Sequence, residues 1–267
     1  TITSNYDFAM NNDNIHSCAR FGMYIGQNEG KLSFNSVNFV PADNDLDRNM
    51  NFTSWRDTFH VKDNRAAISW KNCRATGNYD DVYNISSSTL YVSDYNLAKN
   101  RITLIWPEAK GRTYYKIKAG DVLSVIDNET GEDWGTATVK RVVKQAGEEN
   151  IVVLDKPLDM ITNTGTGVLA FFKNRCAPGS SITDCDFNGT FRFRGPLTVS
   201  NTHFYNQRTW IDLYGTIEGP IPENITFKNC TIESGSGATV IIGANSGNTG
   251  KYGYHVKDIV FEGCKLD

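Results

Sequence analysis

Three observations in the 267-residue chain predict an all-β fold, a right-handed parallel β-helix (a solenoid) carrying a small inserted antiparallel β-barrel. A short unit recurs along the chain, its copies share one register of cysteine and asparagine, and one interval between copies is long and of different texture. The unit reads apolar-x-apolar-x-(Asn/Asp/Gly)-Cys-x-apolar. It is clearest as Ile68-Ser69-Trp70-Lys71-Asn72-Cys73-Arg74-Ala75 and as Ile225-Thr226-Phe227-Lys228-Asn229-Cys230-Thr231-Ile232, and it returns at 259–266. Weaker copies span 32–39, 182–187 and 197–204. Each is a short strand alternating with period two, a polar bend, and a further inward residue. Such a unit cannot bury its apolar face alone and must stack on its copies, which is the logic of a solenoid.

The register gives the cysteines a structural role. Cys73, Cys185, Cys230 and Cys264 fall at equivalent positions and are expected to stack inside as small hydrophobes, with Asn72, Asp184, Asn201 and Asn229 stacked at the bends. None of the six cysteines forms a C-x-x-C pair, so neither a zinc site nor a redox motif is expected.

The long interval lies between the copies at Asn72 and Asp184. It holds LYVSDYNLAKNRITLIW, YYKIKAGDVLSVIDNETGEDWGTATVKRVVK and ENIVVLDKPL, alternating runs broken by turn signals such as Ala119-Gly120-Asp121. That pattern predicts a small antiparallel barrel. The expected organisation is a first solenoid part over 1–86, a barrel over 87–172 and a second solenoid part over 173–267.

Composition narrows the partners. A formal net charge of −3 supplies no basic field for a phosphate backbone, so nucleic acid is not expected. No apolar run approaches the roughly 18 residues of a membrane span. Thr1 is not followed by a charged-then-apolar leader, so any signal peptide is expected to have been removed or to lie outside this sequence. The histidines His16, His60, His203 and His255 lie on separate copies without metal-ligand spacing, so no metal and no other cofactor is expected. His60 alternates away from Phe59 and Val61, which puts it on the face opposite those two and on the side of Thr58.

Chemistry concentrates at Gly77-Asn78-Tyr79-Asp80-Asp81-Val82-Tyr83-Asn84-Ile85, where two adjacent carboxylates interrupt a strand pattern that disfavours Asp. One coil earlier, Asp57-Thr58-Phe59-His60-Val61 aligns with Asp81-Val82-Tyr83-Asn84-Ile85. The offset of 24 residues is close to one solenoid turn, so Asp57 should lie about one strand spacing, ~4.8 Å, from the pair. Crowded carboxylates repel, which raises the pKa of one while another stays ionised, and that split supplies the acid and base of glycosidic hydrolysis. A cation site or a hydrated bend would use the same residues.

The DDxxN strand, a carboxylate one coil earlier, an inserted barrel directly afterwards and the return through Asn174-Arg175-Cys176-Ala177-Pro178-Gly179 resemble glycoside hydrolase family 110, over roughly residues 45–232. The resemblance implies a bacterial exo-acting α-1,3-galactosidase built as a β-helix with a barrel insertion. It also implies an inverting, metal-independent mechanism, with catalytic carboxylates matching Asp57, Asp80 and Asp81. The family continues its motif as DDxxNxHG, whereas here Asn84 is followed by Ile85-Ser86-Ser87. Polygalacturonases are a weaker match, because their Gly-His-Gly and Arg-Ile-Lys have no counterpart at the matching places.

Around the carboxylates, Tyr83 and Asn84 are expected to contact substrate. In Phe191-Arg192-Phe193-Arg194-Gly195 the two arginines share a strand face and can donate to hydroxyls or to an acidic group. Trp210, Asp212 and Tyr214 share a face on the next strand, with rings for sugar C–H groups and a carboxylate for hydroxyls. The expected protein is a secreted, periplasmic or cell-surface inverting hydrolase acting on an oligo- or polysaccharide, with Asp80 as acid and Asp81 or Asp57 as base. The alternatives are a non-catalytic carbohydrate-binding β-helix and a polysaccharide lyase using an arginine or lysine base.

Overall fold

The computed structural model describes residues 1–16, 18, 20–41, 52–106, 116–205, 218–234 and 256–267, the backbone of 209–213 and 240–244, and the side chains of Val240 and Ile242. The architecture is all-β: a closed six-strand antiparallel barrel and two sheets built from parallel strands.

The chain alternates between the two parallel sheets. In the first, the strands Ile2–Thr3, Met23–Gly26, Phe59–Lys62, Tyr83–Ser88, Phe191–Phe193, Thr209–Leu213 and Val240–Ala244 pair in sequence order. In the second, Lys31–Phe39, Ala67–Lys71, Ser180–Thr183, Leu197–Ser200, Glu223–Lys228 and Lys257–Glu262 do the same. The recurrent unit sets the register, since Phe34 pairs with Trp70, Trp70 with Ile182, Ile182 with Val199, Val199 with Phe227 and Phe227 with Phe261. Inward residues of both sheets share one core, where Phe34, Phe59, Trp70 and Tyr83 meet ring against ring.

The expected ladders are present, except that Cys264 is only half-buried. Ser36, Asn72, Asp184, Asn201, Asn229 and Gly263 all take positive φ, between 49° and 63°, at the same point of successive units. Asn, Asp and Gly tolerate this left-handed bend best, which is why the position is asparagine-rich. Asn201 Nδ2 donates to Asp184 Oδ1 at 3.1 Å along the ladder. One residue on, Cys73, Cys185 and Cys230 are buried, all six cysteines are free thiols, and Thr202 occupies the rung between Cys185 and Cys230.

Between Tyr83–Ser88 and Ser180–Thr183 stands the barrel, formed by Leu90–Asn96, Arg101–Ile105, Val122–Asp127, Asp133–Ala146, Glu149–Leu154 and Gly165–Phe172. It has its own apolar core, including Leu104, Val125, Trp134 and Val152. A buried ion cluster fastens it to the parallel sheets. Asp121 accepts from Arg65 Nε at 2.7 Å and from Arg175 Nη2 at 2.5 Å, and both Asp121 and Arg175 are fully buried. Burial pushes the Asp121 carboxyl up, but the two guanidinium groups outweigh it and hold Asp121 below its ordinary value.

A carboxylate held low contributes stability above the unfolded pKa of about 3.9 and loses it as pH falls through the lower folded value. Asp121→Asn leaves Arg175 buried without its counter-charge, so denaturant unfolding should show a loss of about 3–5 kcal/mol at neutral pH, shrinking toward acid.

Candidate active site

The three aspartates lie where the chain enters the first parallel sheet. Backbone pairing sets them side by side: Thr58 N donates to Asp81 O at 2.9 Å and Val82 N to Thr190 O at 2.6 Å, so three successive units are in step here. Gly189 belongs to this corner. Its φ of +135° and the closeness of Val82 Cγ2, 2.7 Å from where a Cβ would stand, leave no room for a side chain.

Carboxyl oxygens of Asp57, Asp80 and Asp81 lie within 4.8 Å of one another. Asp57 and Asp81 are buried, while Asp80 faces solvent. His60 Nδ1 is 2.6 Å from Asp57 Oδ2, and with the carboxylate as acceptor this nitrogen carries the hydrogen. The imidazole is itself held by rings, Phe21 at 4.4 Å and Tyr24 at 5.5 Å between centroids. Arg192 Nε donates to Asp81 Oδ2 at 2.7 Å. Asp81 N donates to Asp80 Oδ1 at 3.1 Å, which fixes the exposed carboxyl.

Electrostatics divides the cluster. Burial first, and then the charges of Asp57 and Asp80, push Asp81 up to about 8 against the pull of Arg192. Asp80 is raised by partial burial and then by Asp57, against the Asp81 amide, Arg192 and Arg56. Like charges this close do not all ionise, so the cluster retains a proton at neutral pH.

A second group adjoins it. On the sheet face His60 pairs in register with Asn84, and Asn84 with Arg192. Asn84 Nδ2 donates to Glu218 Oε1 at 2.9 Å, while its buried Oδ1 has no hydrogen-bond partner among the described residues. Glu218 reaches this row because Glu218–Gly219 pairs antiparallel with Ser87 and Ser88. Burial works to raise Glu218, but Lys62, Arg194, the Asn84 hydrogen bond and His60 together hold it below its ordinary value.

Of the residues expected at the site, Asp57, Asp80, Asp81, Asn84 and Arg192 come together. Arg194 shares the face but is fully buried and acts on Glu218 through its charge. Tyr83 is a correction: it is fully buried, its ring stacked on Phe59 at 4.9 Å, because period-two alternation turns it inward with Ile85. Trp210 pairs with Arg192 through the backbone, but the side chains of Trp210 and Asp212 and the whole of Tyr214 lie outside the described residues. Glu218 and the His60–Asp57 contact were not expected from the sequence. His60 carried a signal, its alternation away from Phe59 and Val61; Glu218 carried none, since it arrives from a segment remote in sequence.

The aspartate oxygens are close enough together to be ligands of one hard cation. Arg192 already places a positive charge on Asp81, and His60 engages Asp57, so two of the three carboxyls have partners without a metal. Among the described residues no helix is long and apolar enough to cross a membrane. Compared with known families and curated proteins, the chain matches no family model and no curated protein.

Proposed function

We propose that this chain is a glycoside hydrolase that cleaves an α-galactoside, with Asp81 as proton donor and Asp57 as base on the outer wall of one parallel β-helix. The regular passage of the chain between two parallel sheets around a common core supports the β-helix reading. The observation that carries the activity is a cluster of three carboxyls within 4.8 Å in which burial pushes one up to about 8.

The roles follow from the surroundings. Arg192 occupies Asp81 Oδ2, so the proton sits on Oδ1 and is available to the departing glycosidic oxygen. Asp57, oriented by His60, takes a proton from the water that attacks the anomeric carbon. Asp80 lies nearest to solvent and accepts from substrate hydroxyls. This moves the acid role from Asp80, where the sequence placed it, to Asp81, because Asp81 is the more deeply buried carboxyl. Asn84 Oδ1 is a further acceptor awaiting a hydroxyl donor.

The stereochemical course has two readings. Family resemblance implies inversion, for which the acid and base carboxyls stand roughly 6.5–9.5 Å apart with a water between them. Here one oxygen from each of the three carboxyls lies within 4.8 Å of the others, short of that spacing. A close pair favours instead direct attack by a carboxylate, with retention. Proton NMR of the first sugar released from a panel of α- and β-linked galactosides decides between them. Initial release of the inverted anomer is expected; the retained anomer would reassign Asp57 as nucleophile, and no release from any α-galactoside would overturn the hydrolase.

A further inference from the structure

Beside the carboxylates is an apolar surface that the acid-base chemistry does not use. Trp55 is 55% exposed and Tyr79 66% exposed, far more than rings of this size need be in a protein with a well-filled core. They are not scattered. Ser54 and Asn78 form a parallel bridge, so Trp55 and Tyr79 extend from the same rung of adjacent units. Their rings stack at 4.8 Å between centroids and 18° between planes, and Phe52 completes the group at 5.3 and 5.8 Å.

Position makes this more than a surface cluster. Tyr79 directly precedes Asp80, and Trp55 stands two residues before Asp57. Arg56, between Trp55 and Asp57, is near enough for its charge to act on Asp80. Flat rings therefore border a set of charged acceptors and donors. That is the combination a pyranose needs: one face of C–H bonds to lie on a ring, and a rim of hydroxyls for hydrogen bonds. Galacto-configured sugars suit it best, because their axial 4-hydroxyl leaves the opposite face as an uninterrupted patch of C–H groups.

We propose that Trp55 and Tyr79, backed by Phe52, form a sugar-stacking subsite that seats a galacto-configured pyranose beside the aspartate cluster. The inference rests on the reading of the chain as carbohydrate-active, but it concerns binding and stands or falls apart from turnover.

The test uses Asp81→Asn, which blocks the proposed proton transfer while leaving the platform intact, and titrates it with α-1,3-galactobiose, melibiose and lactose, with maltose as the gluco-configured control. Among the described residues Trp70, Trp106 and Trp134 are buried, so a sugar covering Trp55 should shift the exposed part of the tryptophan emission to the blue. Calorimetry supplies the affinities. Adding Trp55→Ala or Tyr79→Leu is expected to weaken galactoside binding about tenfold, with circular dichroism unchanged. Tyr79→Leu retains apolar area but no ring face, so its loss identifies stacking, and Tyr79→Phe should restore binding. Affinity unchanged by either variant, tighter binding of maltose, or no binding of any galactoside overturns the subsite. Platform-dependent binding in a protein that hydrolyses none of these sugars keeps the subsite and removes the hydrolase.

Discussion

Replacing Asp81 by Asn is expected to lower kcat on a cleaved galactoside about 10³-fold, the scale of losing a positioned general acid. The carboxamide is nearly isosteric and can still face Arg192, so KM should change much less than kcat. Substrates whose leaving group needs no protonation separate this role from simple disruption. A nitrophenyl galactoside should regain much of the lost rate in Asp81→Asn, whereas a base variant, Asp57→Asn, should be slow on both kinds of substrate.

The same substitution should alter stability in a definite direction. Asp81 holds its proton up to about 8 in the folded protein, whereas an unfolded aspartate loses it at about 3.9. Between those values the folded state binds more protons than the unfolded chain, so the wild-type protein loses stability as pH rises through that window. Asp81→Asn removes this dependence. Its melting temperature should fall less than that of the wild type between pH 5 and 8, on the order of a few degrees.

Arg192→Met should move the alkaline limb of the pH-rate profile upward. In the wild type, kcat/KM is expected to fall as the pH passes about 8, where Asp81 loses its proton. Arg192 is the largest influence pulling that value down. Without the guanidinium, burial and the two neighbouring carboxylates act unopposed, the proton is held more tightly, and the limb moves to higher pH. An unchanged limb with reduced activity would show that Arg192 only binds substrate; a downward shift would mean that the titrating group is not Asp81.

The parallel sheets were legible because their signal is repeated. Trp70, Ile182, Val199, Phe227 and Phe261 pair in the register their shared unit implies, and the asparagine bends mark the same rung each time. The barrel strands, from Leu90 to Phe172, fall inside the interval whose texture differed. Convergence of Asp57 on Asp80 and Asp81 followed from a spacing of one unit. Tyr83 was misread although the signal was there: an alternation that turns Asn84 outward must turn Tyr83 inward.

Other parts had no local signature. Glu218 reaches Asn84 from 134 residues away, and Arg65 meets Asp121 across 56. Neither spacing belongs to a repeat, so no periodicity could point to it. Trp55 and Tyr79 were visible as residues, but their stacking depends on the Ser54–Asn78 bridge, and without it they read as isolated surface rings.

The central claim is that the aspartate cluster keeps a proton on Asp81 at neutral pH, and carbon NMR of protein labelled at the aspartate carboxyl carbons tests it without any substrate. One resonance titrating near 8, absent from Asp81→Asn, is the result expected. A set of aspartates that all titrate below about 5, as ordinary carboxyls do, would contradict it.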